Sequence, residues 1–212
     1  MSIIYRTALV LTIGLCSTFS SCSSNKMQLE EHYIEVLRNR KITEAEFSDP
    51  NSSPLTPEDL RHFHGLDYFD IDYSYRFEAN FIRTTDSKIF KMATTTERSP
   101  EYRKYGEIHF NVDGKDCLLS AYESIAHIDD EEHNKFLFVP FKDHTNGDTS
   151  YGGGRFLDVE IPEGNTIIID FNKNYNPYCA YNHDYSCPIP PEENHLNVAI
   201  PVGVKVPHDS SH

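Results

Sequence analysis

Cys179 and Cys187 enclose seven residues in a stretch dense with groups able to bind or react, Asp170-Phe-Asn-Lys-Asn-Tyr-Asn-Pro-Tyr-Cys179-Ala-Tyr-Asn-His-Asp-Tyr-Ser-Cys187. A disulfide closing so short a loop contributes about 2–3 kcal/mol by chain entropy. Cys179-x3-His183-x3-Cys187, with His195 beyond it, is the rival reading, because two thiols and two imidazoles are a Zn²⁺ ligand set by type. Its spacing is not a usual zinc-finger one, so the bridge is the expectation, and no metal or other cofactor is expected. The Pro and Asn content makes 170–194 a loop, and loops of this length without regular structure are usually functional or stapled. Asp170, Asn172, Tyr175, Asn176, Tyr181 and Asn182 are its candidate ligand contacts, offering stacking and hydrogen bonds. The competing account is that the tyrosines only pack the loop down.

A second polar stretch runs from Asp143 through Tyr151-Gly-Gly-Gly-Arg-Phe-Leu-Asp158. Three glycines beside an arginine allow backbone N–H groups and a guanidinium to meet an anion. Asp143, Tyr151, Arg155 and Asp158 are therefore the candidate contacts here. The pattern is neither a P-loop nor a dinucleotide fingerprint, and no strand-to-helix context follows it. The structural alternative is a bulged hairpin in which Arg155 pairs with Asp143 or Asp158. The acidic run Asp129-Asp-Glu-Glu132 between His127 and His133 reads as a solvated turn, without the spacing of an EF-hand. Cys117 falls on the apolar side of a strand and reads as a small buried hydrophobe. There is no Gly-x-Ser-x-Gly, and eleven histidines make chance Ser/His pairs inevitable.

The leader bears on all of this. Arg6 is the one charged residue of 1–21, an apolar run fills 7–15, and small residues precede Cys22. These are the parts of a signal peptide. The apolar run is too short to span a bilayer, which needs roughly 20 residues. Ser20-Ser21-Cys22 resembles a lipoprotein processing box, with Phe19 where that box usually has an aliphatic residue. The expectation is a signal peptide over 1–21, acylation (palmitate among the chains) on Cys22, and anchoring in the cell envelope with the domain in the periplasm or at the surface. The absence of an acid after Cys22 favours the outer membrane. Export also permits disulfides. Cleavage removes Arg6, taking the formal net charge from −14 to −15. So acidic a surface repels phosphate backbones, and nucleic acid is excluded as a partner.

The elements that must position these groups read as follows. Leu29, Tyr33, Val36 and Leu37 recur at helical spacing over 27–43. Thr56-Pro57-Glu58-Asp59 is a helix start, with a hydroxyl cap, Pro at the first position and acids in the first turn. From Tyr73 the period becomes two, through Tyr75, Phe77, Ala79 and Phe81. Residues 88–97 are a Thr-rich strand, and Asp113-Gly114 between two alternating runs signals a tight hairpin. Further strands fall at 136–142, 155–161, 165–171 and 196–206. The expected fold is mainly β within the α+β class, an antiparallel sandwich or barrel-like sheet with two short N-terminal helices. The expected division is a tether over 22–32, one globular domain over 33–206 and a frayed tail over 207–212.

Leu55-Thr-Pro-Glu-Asp-Leu60, Gly65-Leu-Asp-Tyr-Phe-Asp-Ile71, Val139-Pro-Phe-Lys-Asp143, Tyr151-Gly-Gly-Gly-Arg-Phe-Leu-Asp158 and the span from Asp170-Phe-Asn to Cys187-Pro-Ile-Pro-Pro191 together resemble the bacterial family catalogued as domain of unknown function 1684. The resemblance covers roughly 33–205. It implies no activity. It implies that both polar stretches, Cys179 and Cys187 included, are family motifs. The chain departs near its end, with Gly203-Val204 where the family commonly has Gly-Glu.

The reading is a lipid-anchored domain that binds a small ligand or an envelope protein where the loops over 143–158 and 170–194 meet. The alternative is an exported hydrolase-type enzyme, which requires a base and a nucleophile within hydrogen-bond reach.

Overall fold

The computed structural model describes residues 18–131 and 133–207, with side chains from Asn25 onward. The leader over 1–17, the Cys22 side chain and the tail over 208–212 lie outside the described residues. The chain is mainly β. Two helices, α1 (Thr18–Ser48) and α2 (Pro57–His62), precede seven strands: β1 (Arg76–Arg83), β2 (Ile89–Lys91), β3 (Glu101–Val112), β4 (Lys115–Ser124), β5 (Phe136–Phe141), β6 (Arg155–Glu160) and β7 (Thr166–Asp170). All pairings are antiparallel, in the order β6-β5-β4-β3-β1-β7, with β2 also on β3.

Strand alternation sorts the side chains. Ile108, Leu119, Leu137, Val139, Leu157 and Ile169 are buried on the concave face. Asp113 and Gly114 take φ of 50° and 81°, the left-handed pair that a two-residue hairpin requires, and they join β3 to β4. The sheet curls into a half-barrel. Just beyond β7 the chain reaches the opposite edge, where Phe156 and Tyr175 exchange two backbone hydrogen bonds of 2.9 and 3.0 Å.

The β4–β5 seam is held in an unusual way, through the single ladder pair Tyr122↔Phe138. Pro140 has no N–H to give to a ladder. Fully buried Asn194 takes its place. Its amide donates to the Ser120 and Pro140 carbonyls at 2.9 and 2.7 Å and accepts from Ser120 N–H at 2.7 Å.

Several expectations change. The second helix is short and starts as read, with Thr56 Oγ1 accepting from Asp59 N–H at 3.2 Å. The first helix has 31 residues and buries a different face from the one its apolar residues suggest. Val36 is buried together with His32 and Phe47, while Leu29, Tyr33 and Leu37 stay exposed. His32 is held by Asp170, Nε2 to Oδ2 at 2.9 Å, so a buried polar contact fixes the helix rotation. Residues 73–75 form a 3-10 turn, and the Thr-rich strand shrinks to three residues. The strand expected over 196–206 is an extended segment. Leu196, Val198, Ile200, Val202 and Val204 still alternate inward, but the segment joins no strand ladder and is held beside the 142–144 segment by Leu196 N–H to the Lys142 carbonyl at 2.8 Å and His144 N–H to the Val198 carbonyl at 2.9 Å.

Candidate functional site

Arg155 and Asp158 both lie on β6, three residues apart, and neighbours of unlike parity face opposite sides of a sheet. Arg155 points into the core and Asp158 points out. The composite site drawn from the sequence therefore separates into two environments.

The inner one is closed. Arg155 is fully buried. Its guanidinium donates to Asp143 Oδ2 at 2.7 Å, to the Ile200 carbonyl at 2.7 Å and to the Val202 carbonyl at 2.7 Å. Asp143 Oδ1 accepts from Thr145 N–H, the Thr145 hydroxyl and Ile200 N–H at 2.9, 2.7 and 3.1 Å. Both groups are enclosed by the protein, and although Arg155 Nε is a buried donor without a partner, neither side chain is exposed to a ligand from outside. Their ion pair ties the 143–150 loop and the C-terminal segment to β6. Burial pulls the Arg155 pKa down and the Asp143 charge opposes that pull.

Asp170 and Asn172 are also internal. Asp170 Oδ1 accepts from the Asn172 backbone and side-chain amides at 3.1 and 2.9 Å, and its Oδ2 meets His32. Asn172 exchanges two hydrogen bonds with the Asp72 backbone, 2.9 and 2.8 Å. Asn182 donates to the Pro54 carbonyl at 3.2 Å.

Cys179 and Cys187, the expected bridge partners, stand against each other as buried thiols. Cys187 Sγ instead accepts from Cys179 N–H at 3.2 Å. Hydrogen bonds from Cys187, and further ones from Thr95 and Tyr151, outweigh burial and lower the Cys179 thiol to about 7. The paired Cys187 is pushed up by the same contact and by burial. Burial and the neighbouring sulfurs raise Tyr151 to about 12.

The remaining candidates converge on the outer face. Asp158, Tyr175 and Asn176 stand between two cavities. The smaller, about 290 Å³, lies between α1 and the 172–181 loop. Tyr181 lines it, accepting from the Asn176 amide at 3.0 Å. Buried Asn176 Oδ1 and Tyr68 Oη face it without hydrogen-bond partners. Unpartnered buried polar atoms call for a polar occupant, water being the simplest.

The larger is an open groove of about 730 Å³ on the convex face of β3, β5 and β6. Its apolar walls are Tyr102, Phe138, Phe156, Pro177, Tyr178 and Pro188. Tyr102 and Phe138 stack at 5.6 Å, and Phe138 meets Phe156 edge-on at 4.8 Å. Tyr175 Oη donates to Asp158 Oδ2 at 2.7 Å. The Asp158 carboxyl opens on the groove, yet the surrounding rings desolvate it and raise its pKa, against the Tyr175 hydrogen bond and the charge of His133. Burial first, then Asp158, drives the Tyr175 phenol up as well.

His127 and His133, which flank the acidic run read as a solvated turn, are exposed and line the groove. Together with Asp130 they are the group of metal-ligand type among the described residues, and their ligand atoms lie within 4.8 Å of one another. Sequence reasoning missed them. The signal available was the i, i+3, i+6 spacing, which brings side chains together if the turn winds helically.

A curled antiparallel sheet with an aromatic groove outside and a buried ion pair inside defines a class of mainly β protein and no particular chemistry. The chain belongs to the family described as Protein of unknown function (DUF1684), which matches residues 61–205. It is similar to the uncharacterized protein from gene locus rrnAC0354 of Haloarcula marismortui, whose solution NMR structure aligns with a TM-score of 0.67 at 34% identity, covering 84% of this chain and 96% of that one. No curated protein matches the chain.

Proposed function

We propose that the protein is an envelope lipoprotein that binds a small amphipathic ligand in the convex groove, with a planar or aromatic body on Tyr102, Phe138 and Phe156 and a polar head at Asp158. The single observation that carries the reading is the Asp158–Tyr175 carboxyl–phenol pair set in the wall of an open aromatic groove. Apolar clefts with a few convergent polar groups are the usual form of a small-molecule site. Natural β proteins rarely leave contiguous aromatic surface open without a partner for it. The hydrolase alternative asks for a nucleophile beside its base, whereas the groove joins a carboxyl to a phenol. The leader and Ser20-Ser21-Cys22 support anchoring through an acylated Cys22. No described helix is long and apolar enough to cross a membrane.

The test is amide NMR of the isotope-labelled protein against a set of aromatic fragments. Shifts are expected at residues 101–102, 136–138 and 156–158, and they are expected to vanish in Tyr102→Ala and weaken in Asp158→Asn. Fragments that shift only residues elsewhere, or that bind Tyr102→Ala equally well, would remove the groove from consideration. The anchor is tested apart, by the mass of the N-terminal peptide: acyl chains on Cys22 are expected, and their absence from natively expressed protein refutes anchoring.

A further inference from the structure

The geometry points to a divalent transition-metal site formed by His127, Asp130 and His133, on the turn that rims the convex groove. It does not depend on what the groove binds. The turn winds as a run of short helical hydrogen bonds: Ile128 N–H to Ile125 O, Asp130 N–H to His127 O at 3.1 Å, and Asn134 N–H to Asp130 O at 2.8 Å. That winding turns residues three apart to one side. The His127 and His133 rings lie 5.1 Å apart and tilted 31°, with His133 Nδ1 2.8 Å from Asp130 Oδ2. Tetrahedral Zn²⁺ at about 2.0–2.2 Å from its ligands places donor atoms about 3.3–3.6 Å apart. The three ligand atoms already lie within 4.8 Å, so side-chain rotations and a small tightening of an exposed turn bring them in.

The local field favours a cation. Asp129 and Glu131 flank the cluster in sequence, and Asp158 across the groove is close enough to feel the His133 charge. Two imidazoles and one carboxylate select zinc, copper or nickel over Mg²⁺ and Ca²⁺, which prefer all-oxygen shells. Three protein ligands leave at least one position open, as in catalytic rather than structural sites. His127 and His133 both line the groove, so a metal held by them would sit at its edge.

The experiment titrates Co²⁺, and then competing Zn²⁺, into the full chain purified without a polyhistidine tag. One Co²⁺ per chain is expected, with visible d–d bands and without the near-ultraviolet charge-transfer band of a cobalt–thiolate bond. Loss of an outer-shell partner alone costs about 10–100-fold in metal affinity, so His127→Ala and His133→Gln are each expected to weaken binding by at least about tenfold. Both sites are exposed, so both variants are expected to fold, with thermal melts as the check. Three results overturn the proposal: no bound cobalt, affinity unchanged in both variants, or a thiolate band that disappears in Cys179→Ser/Cys187→Ser.

Discussion

Replacing Arg155 by methionine is the most informative single change, because it separates a buried structural cation from a ligand anchor. Methionine keeps most of the length and apolar stem and removes the charge and every donor. Asp143, whose side chain has no exposure to solvent, is then a buried carboxylate without its cation. Breaking a buried ion pair on one side costs about 3–5 kcal/mol. The Ile200 and Val202 carbonyls also lose donors held at 2.7 Å, but each keeps one, Val202 N–H at 2.9 Å and the Asn174 side-chain amide at 3.0 Å, so they add little to the cost. Arg155→Met is therefore expected to lose about 3–5 kcal/mol, a large part of the roughly 5–15 kcal/mol that holds a domain together. Urea unfolding followed by far-ultraviolet circular dichroism measures the loss. The double variant Asp143→Asn/Arg155→Met removes the stranded charge and is expected to regain part of it, a coupling that a double-mutant cycle reads directly. Arg155→Lys is expected to be intermediate, since one ammonium cannot reach the aspartate and both carbonyls in the guanidinium's planar geometry. An Arg155→Met protein within about 1 kcal/mol of the parent, the range of ordinary surface changes, would refute the closed network and return Arg155 to the ligand side.

Asn194→Ala is expected to cost about 2–4 kcal/mol, since three hydrogen bonds across the β4–β5 seam go together and leave buried backbone groups bare; the same unfolding assay checks it. Gly154→Ala is expected to destabilise by more than the roughly 1 kcal/mol of a compatible glycine exchange, because φ there is +99° and a Cβ would sit 2.7 Å from the Phe141 carbonyl oxygen. Gly152→Ala, with its nearest neighbour 3.6 Å away, is its mild control. Thiolate absorbance is expected to rise with a midpoint near pH 7 for Cys179, and Thr95→Val is expected to move that midpoint up. The linked sign follows: a folded pKa held below the unfolded value of 9.0 makes Cys179 contribute stability above that value and lose it as pH falls through about 7. Unfolding free energies that fail to fall between pH 9 and pH 7 in the parent relative to Cys179→Ser would contradict it.

What the residues alone determined is what local chemistry determines. Alternation placed β1, β3, β4, β5, β6 and β7, Asp113-Gly114 set the hairpin, and Thr56-Pro57 set the start of α2, because each is decided by a few neighbouring side chains. Even the split of the composite site was legible, since Arg155 and Asp158 have unlike parity on one strand and face opposite sides of any sheet containing it. Sequence reasoning placed a strand over 155–161 yet grouped Arg155 and Asp158 in one loop site, and so overlooked this. The tertiary structure decided the matters of long-range partnership. It made the His32–Val36–Phe47 face of α1 the buried one, through a histidine–aspartate contact spanning 138 positions. It consumed Asp143 and Arg155 in a network whose acceptors belong to residues 200–202, too far along the chain for any spacing rule to pair. It also gathered Asp158, Tyr175 and the His127 turn around one groove, because only closure of the curled sheet brings the segment after β7 back against β6.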